Sequence, residues 1–174
     1  MPDALRGSAA KMMLWAGIIV LIAVLDQATK TVMLGWLEEG QRFPVTGFFD
    51  LVLVYNSGAA FSFLSEHSGW QRWFFVVVTI VICTWLIRLI WQSRNERLLP
   101  VAFSLIVGGA LGNLIDRFVH GSVVDFLYFY AGRYGWPAFN LADTAITLGV
   151  MLILWDMFRP GRRSVSPADS EHIS

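Results

Sequence analysis

Four long apolar segments constrain the fold of this chain more than any other feature of its sequence. They lie at about residues 12–34, 70–91, 98–119 and 139–158. At 1.5 Å per residue, a helix formed by each segment is long enough to cross the roughly 30 Å hydrocarbon core of a bilayer. Charged residues make up 15% of the chain, whereas soluble domains contain about 25%. We therefore predict an all-α membrane protein with four transmembrane helices.

The second and third segments carry further signs of membrane helices. Trp70 and Trp91 lie at the two ends of the second segment, where interfacial aromatic residues are enriched. Gly108 and Gly112 in the third segment have the small-xxx-small spacing that lets two helices pack closely. The single cysteine, Cys83, lies inside the second segment and is predicted to be a small core residue.

The distribution of basic residues predicts the orientation of the helices. Arg94 and Arg97 follow the second segment and further arginines follow the fourth, whereas the first connection, at about 35–69, is acidic. By the positive-inside rule, we expect both termini in the cytoplasm and the connections after the first and third helices outside. We predict one membrane domain at 1–158 and a disordered cytoplasmic tail at 159–174. The net charge of zero gives no sign of a nucleic-acid partner.

The first connection is more than a linker. Residues 43–55 are rich in β-branched and aromatic side chains and contain a turn signal at Thr46-Gly47. They predict one or two short strands, and therefore a small extracytoplasmic β-rich loop between helices 1 and 2. Such a loop would either lie against the lipid surface and brace a substrate or form a small structural cap, and the sequence leaves both interpretations open.

Two aspartates, Asp125 and Asp143, are the strongest candidates for chemistry. Each lies among apolar residues, where an ionised carboxylate loses hydration. Two carboxyl groups in one site can share a proton, so that one acts as acid and the other as base, as in aspartic peptidases. The alternative is structural, because Asn140 and Asp143 have the spacing of a helix capping box and Asp125 could be a surface residue on a short strand. Spacing alone does not decide between the two.

Polar residues at membrane depth are functional candidates by default. Asp26 and Lys30 are spaced i,i+4, which favours an internal ion pair. Asn113, Asp116 and Arg117 are spaced to lie along one side of the third helix near its outer end. Two interpretations stay open for this group. Either Asp116 and Arg117 neutralise each other, or Asn113 and Arg117 orient a substrate or the catalytic carboxylates.

The remaining patterns bear on other functional classes. The segment Asn56-Ser-Gly58 returns the outer loop to the membrane, and its small residues permit close backbone approach. No HExxH motif or Cys/His ligand spacing occurs, so we predict neither a metal nor a cofactor. A transporter or channel subunit could use the buried charges as an ion path, although no inverted repeat supports it. An assembly factor could use the glycine face of the third helix.

Five ordered motifs resemble those of bacterial lipoprotein signal peptidase, the type II signal peptidase. The resemblance covers about residues 12–158. The motifs are, in chain order, Asp26-Gln-x-x-Lys30, Asn56-Ser-Gly-Ala-Ala-Phe61, Gly108-Gly-Ala-Leu-Gly-Asn-Leu-Ile-Asp-Arg117, Val124-Asp125-Phe126 and Phe139-Asn-Leu-Ala-Asp143.

The resemblance implies a function and a location. It implies a monomeric aspartic endopeptidase of the bacterial inner membrane, with its site near the outer face and no cofactor. Its partners would be membrane lipids and prolipoproteins that carry a diacylglyceryl group, which it cuts just before the lipidated cysteine. The cyclic peptide globomycin inhibits the family. The residues that match family positions are the catalytic Asp125 and Asp143, the substrate- or inhibitor-binding Asn56, Asn113, Arg117 and Asn140, and the supporting Asp26, Lys30, Gly58 and Asp116.

Overall fold

The computed structural model describes residues 3–58 and 70–159. Within them lie four helices, α1 (Asp3–Trp36), α2 (Trp70–Gln92), α3 (Leu98–Val119) and α4 (Leu141–Phe158). All four are long and apolar enough to span a membrane, with mean hydropathies from 1.6 to 2.4. The predicted set of membrane helices is therefore confirmed. The predicted tail from residue 160 onward and residues 59–69 of the first connection lie outside the described residues.

The helix boundaries differ from the prediction at the two ends of the chain. Helix α1 begins at Asp3 rather than at residue 12, because the alanines and the lysine before the apolar segment favour helix. Helix α4 begins at Leu141 rather than at residue 139. There the backbone of Phe139 pairs with a strand instead of entering the helix. Helix α3 has the predicted bounds.

Helix α3 is the centre of the bundle and packs against each of the other three helices. Its contact with α1 depends on glycine. A Cβ atom at Gly108 would lie 2.8 Å from the Cβ of Ile22, and one at Gly112 would overlap the carboxylate of Asp26. The close packing predicted from these two glycines is confirmed. Cys83 on α2 is buried, as predicted, in an apolar cluster with Trp15 of α1 and Val107 of α3.

The four strands form one antiparallel sheet in the order β1-β2-β3-β4. They are β1 (Arg42–Pro44), β2 (Phe49–Asn56), β3 (Val123–Ala131) and β4 (Tyr134–Gly135). The sequence predicted one or two strands between helices 1 and 2, and two are present. The prediction was incomplete, because β3 and β4 come from the connection between α3 and α4. The chain order places the sheet where α1 and α3 end and α2 and α4 begin.

An arginine clamp holds the outer part of the sheet together. The Arg42 guanidinium forms an ion pair with the buried carboxylate of Asp50. It also lies 4.8 Å from the ring centre of Tyr128 and 4.7 Å from that of Tyr130. The hydrogen bond to Asp50 raises the pKa of Arg42. Three neighbouring strands are therefore joined through one side chain, which fixes the sheet that carries Asp125.

Candidate active site

Asp125 lies on β3 with its carboxyl group buried. The residue is 1% exposed. Its Oδ2 accepts a hydrogen bond of 2.9 Å from Asn56 Nδ2, and its Oδ1 accepts one of 2.7 Å from Asn140 Nδ2. Burial raises the pKa of Asp125 to about 7, and repulsion from Asp143 acts in the same direction, whereas the bonds from Asn56 and Asn140 oppose the rise. Near neutral pH this carboxyl group therefore holds a proton for much of the time.

A β-bulge in β2 brings Asn56 to the same face of the sheet as Asp125. Leu51 pairs with Leu127, but Val54 rather than Leu53 pairs with Asp125. Side chains alternate between the faces of a strand, so the extra residue moves Asn56, two positions beyond Val54, to the face of Asp125. Without the bulge, Tyr55 would occupy that face.

Asn56 is oriented by the turn that follows it. Its Oδ1 accepts a hydrogen bond of 2.9 Å from the backbone N–H of Gly58. The amide nitrogen must then point the other way, toward Asp125. Gly58 has a φ of +93°, a conformation that side chains with a Cβ rarely adopt. Gly58, which the resemblance assigned a supporting role, therefore lies beside Asn56 and donates a hydrogen bond to it.

Asp143 occupies the first turn of α4 and forms the capping box that the sequence predicted. Its backbone N–H donates to Asn140 Oδ1 at 3.0 Å, and its Oδ2 accepts from the backbone N–H of Asn140 at 3.3 Å. Its Oδ1 accepts a 2.8 Å hydrogen bond from Asn113 Nδ2. The capping role and a place beside Asp125 were alternatives in the sequence, but the structure gives Asp143 both.

Asn140 joins the two aspartates. The backbone of Phe139 exchanges hydrogen bonds of 3.0 and 2.8 Å with Leu127 on β3, and this pairing brings the start of α4 beside Asp125. Asn140 is fully buried. Its side chain donates to Asp125 while its backbone N–H donates to Asp143. One residue therefore sets the relative position of both carboxyl groups.

A buried ionic cluster lies behind the pair. The Lys30 ammonium is 2.7 Å from Asp26 Oδ2, 2.7 Å from Asp116 Oδ2 and 2.9 Å from Asn113 Oδ1. Its three donors are thus all used. The predicted ion pair between Asp26 and Lys30 is confirmed.

Asp116 attracts Arg117 electrostatically, but the interpretation that these two residues form their own neutral pair is wrong. In the part of the chain that the structure describes, Asp116 is paired with Lys30 and not with Arg117. Consecutive residues of a helix point about 100° apart, so a partner on another helix can lie closer than a sequence neighbour.

The ionic cluster also holds the chain segments next to both aspartates. Asp116 Oδ2 accepts from the backbone N–H of Val124 at 3.0 Å, and Asp26 Oδ1 accepts from that of Ala142 at 2.9 Å. Val124 precedes Asp125, and Ala142 precedes Asp143. The carboxylates of this cluster are 0–1% exposed, so the cluster is closed to solvent, which does not fit an ion path.

Gln27 is a member of the cluster to which the sequence assigned no role. Its Nε2 donates to Asp116 Oδ1 at 2.8 Å and to the carbonyl of Gly112 at 3.1 Å. The sequence did contain a signal for this role, because Gln27 lies between Asp26 and Lys30 in a polar group inside an apolar segment.

Arg117 lies beside the pair from the side of α3. Its guanidinium donates to the carbonyl of Asn113 at 3.1 Å. It is attracted electrostatically to Asp143, and then to Asp116 and Asp125. Its Cζ atom lies 5.0 Å from the ring centre of Phe75 on α2. The structure thus brings together all the residues that the sequence proposed for the site, and adds Gln27 and Phe75.

An apolar groove of about 300 Å³ opens beside Asp143. Asp143 is the one ionisable residue among those that line it. Four other lining residues, at positions 144, 147, 148 and 151, have the i, i+3, i+4, i+7 spacing of one helix face. This spacing could have been recognised in the sequence. The lining residues are Trp136, Phe139, Asp143, Thr144, Thr147, Leu148 and Met151. Within residues 3–58 and 70–159, no group of three or more His, Cys, Asp or Glu is arranged to hold a metal ion.

Several known proteins with similar sequences share one description. A family described as "Signal peptidase (SPase) II" matches residues 18–159. The lipoprotein signal peptidase of Azoarcus sp. (strain BH72) is 61% identical over 165 residues, which are 93% of this chain and 94% of that protein. The lipoprotein signal peptidase of Cupriavidus taiwanensis is 50% identical over 151 residues, 87% of this chain and 86% of that protein.

A solved structure agrees with the fold. It is described as "Bacterial membrane enzyme structure by the in meso method at 1.9 A resolution" and is 33% identical, with a TM-score of 0.75. The match covers 84% of this chain and 94% of that one. With four spanning helices, an extramembrane sheet and a family match over most of its length, the chain belongs to the signal peptidase II family.

Proposed function

We propose that this chain is an aspartic endopeptidase in which Asp125 and Asp143 activate water for hydrolysis of a peptide bond. The observation that carries the proposal is the pair itself, two carboxyl groups from different elements that Asn140 joins. Its substrates are prolipoproteins with a diacylglyceryl group, and it removes the signal peptide by cutting just before the lipidated cysteine. Family membership and the names of the relatives support this substrate class.

The reaction divides between the two carboxyl groups. Asp143, as base, takes a proton from the water whose oxygen attacks the scissile carbonyl carbon, while Asp125, as acid, protonates the carbonyl oxygen. The tetrahedral diol then collapses as the C–N bond breaks. The leaving nitrogen takes the proton from Asp143, and a diol hydroxyl returns one to Asp125. The raised pKa of Asp125 suits it to begin as the acid.

The neighbouring polar residues hold this arrangement. Asn56, Asn113 and Asn140 donate to the two carboxyl groups and fix their orientation. Arg117 stabilises the negative charge that develops on the substrate and orients its backbone. Lys30 acts on the pair through Asn113 and not by contact with the substrate.

The groove beside Asp143 supplies the binding surface. Its apolar wall along α4 fits an extended signal peptide, and the acyl chains of the substrate stay in lipid. Burial of acyl chains contributes about 0.8 kcal/mol per CH₂, so lipid holds the modified cysteine at a fixed depth. Globomycin-type peptides would occupy the same groove. The protein works as a monomer in this proposal.

The proposed setting is a bacterial inner membrane, with the domain at 1–158 and the tail at 159–174. Both termini are cytoplasmic, and the sheet and the pair lie near the outer face. The arginines beside the connection between α2 and α3 support this orientation.

The orientation predicts which surface cysteines react from outside the cell. Arg133 lies between β3 and β4, and Asn95 lies between α2 and α3. Each is replaced by cysteine in a separate protein that also carries Cys83→Ala. Both native residues are exposed. We expect an impermeant thiol reagent to label position 133 in intact cells and position 95 only after lysis. Labelling of position 95 alone in intact cells would reverse the orientation.

The activity is tested with the purified protein alone. We expect it to cleave a diacylglyceryl-modified precursor peptide in detergent with no partner, and to leave the unmodified peptide largely intact.

EDTA is expected to leave the rate unchanged, because the two carboxyl groups need no metal to activate water. Loss of activity in EDTA with recovery on adding zinc would contradict the two-aspartate mechanism.

A further inference from the structure

On helix α2, the ring of Phe75 contacts the site. Phe75 is half-buried, and its ring face carries the guanidinium of Arg117, whose Cζ atom lies 5.0 Å from the ring centre. A positive group over an aromatic face is attracted to the electron-rich ring, more strongly where water is excluded. Arg117 has no other aromatic ring in such a position among the described residues.

The edge of the same ring packs against the turn that orients Asn56. A Cβ atom at Gly58 would lie 2.5 Å from Cε2 and 3.0 Å from Cζ of Phe75. Only glycine therefore fits against the ring, and Gly58 also donates its N–H to Asn56. Asn56 in turn donates to Asp125.

We propose that Phe75 is a positioning residue, which holds Arg117 with its face and the Gly58 turn with its edge, and so fixes the site from two sides. This inference rests on the proposed function, because it assumes that Arg117 stabilises charge formed during hydrolysis. Phe75 does not touch the reacting atoms in this account. It restricts the guanidinium to the position in which that charge is stabilised, and its removal lowers the rate of the chemical step more than substrate binding.

Fluorination of the ring separates this role from simple packing. We expect 3,4,5-trifluorophenylalanine at position 75 to lower kcat about three- to tenfold, with KM within about twofold of wild type and an unchanged melting temperature. The fluorine atoms draw electron density from the ring face while nearly preserving its shape. Phe75→Leu, which removes the ring, is expected to lower kcat by at least as much.

Phe74 provides the matched control. It precedes Phe75 on α2 and is 47% exposed. Its ring contacts that of Phe75 edge-on, with 5.5 Å between the ring centres. The same fluorinated residue at position 74 should leave both kcat and KM unchanged. An equal loss of kcat at positions 74 and 75 would contradict the proposal.

The outcomes also distinguish this inference from the proposed function. Wild-type kcat in the trifluorinated protein, with Asp143 still required for cleavage, would overturn the role of Phe75 and leave the aspartic mechanism standing. A rise in KM with no change in kcat would overturn it too, because Phe75 would then act in binding. Wild-type cleavage by an Asp143→Asn protein would instead remove the proposed function itself.

Discussion

An Asp125→Asn protein is expected to cleave a lipid-modified precursor at least about 1000-fold more slowly than wild type, because asparagine cannot supply the proton that the carbonyl oxygen takes. Its stability should also fall. The two oxygens of Asp125 accept from Asn56 and Asn140, so the new amide nitrogen would face one of these donors. We expect a loss of about 1–3 kcal/mol, measured as a lower melting temperature in detergent, with most of the protein still folded at 25 °C.

The double variant Asp125→Asn/Asp143→Asn tests whether the two carboxyl groups act as a unit. Residues that act together in one step do not contribute additively, so the double variant should be little slower than either single variant. If the two losses multiplied, the groups would act in independent steps and the shared mechanism would be contradicted.

A Lys30→Met protein is expected to lose about 3–5 kcal/mol of stability, because Asp26 and Asp116 would be left buried without a cation. Both carboxylates lie 2.7 Å from the ammonium. They also hold the backbone next to Asp125 and Asp143, so activity should fall with the folded fraction and with the displacement of the pair. Thermal unfolding and cleavage rates of the purified variant measure both effects.

Two controls separate the charge from the side chain. Lys11→Met removes an exposed lysine that donates to Asn95 and is expected to change stability little. Lys30→Met/Asp26→Asn removes one charge of each sign, and should recover part of the loss, since only Asp116 stays charged. If the Lys30→Met protein had the same melting temperature as wild type, the ionic cluster would contribute nothing to stability.

The sequence predicted the helices well because their length and apolar character are local properties. The motifs that resemble those of the family also identified Asp125 and Asp143, and the structure places both as neighbours of Asn140. The sequence could not predict that β3 pairs with β2, because such pairing joins segments far apart in the chain and depends on the position of α3 between them. The bulge that turns Asn56 toward Asp125 has no signal in the sequence of β2 alone.

The sequence predicted the partner of a buried charge where the two residues are close in the chain, and missed it where they lie on different helices. Asp26 and Lys30 lie one helical turn apart, so their ion pair follows from spacing. The pairing of Asp116 with Lys30 depends on how closely α1 approaches α3, which glycine at position 112 permits. The contact of Phe75 with Arg117 likewise depends on the packing of α2 against α3 and has no sequence signal.

The most direct test of the aspartic mechanism is the rate at which purified Asp143→Asn protein cleaves a diacylglyceryl-modified precursor peptide. Asparagine at this position can still accept one of the hydrogen bonds that Asp143 now receives, so a role limited to helix capping would lose at most about 1 kcal/mol of stability and little activity. We expect a rate at least about 1000-fold below wild type. The melting temperature should fall only modestly, because the new amide nitrogen faces one of the two donors while the other hydrogen bond is kept. Cleavage at the wild-type rate would contradict the aspartic mechanism.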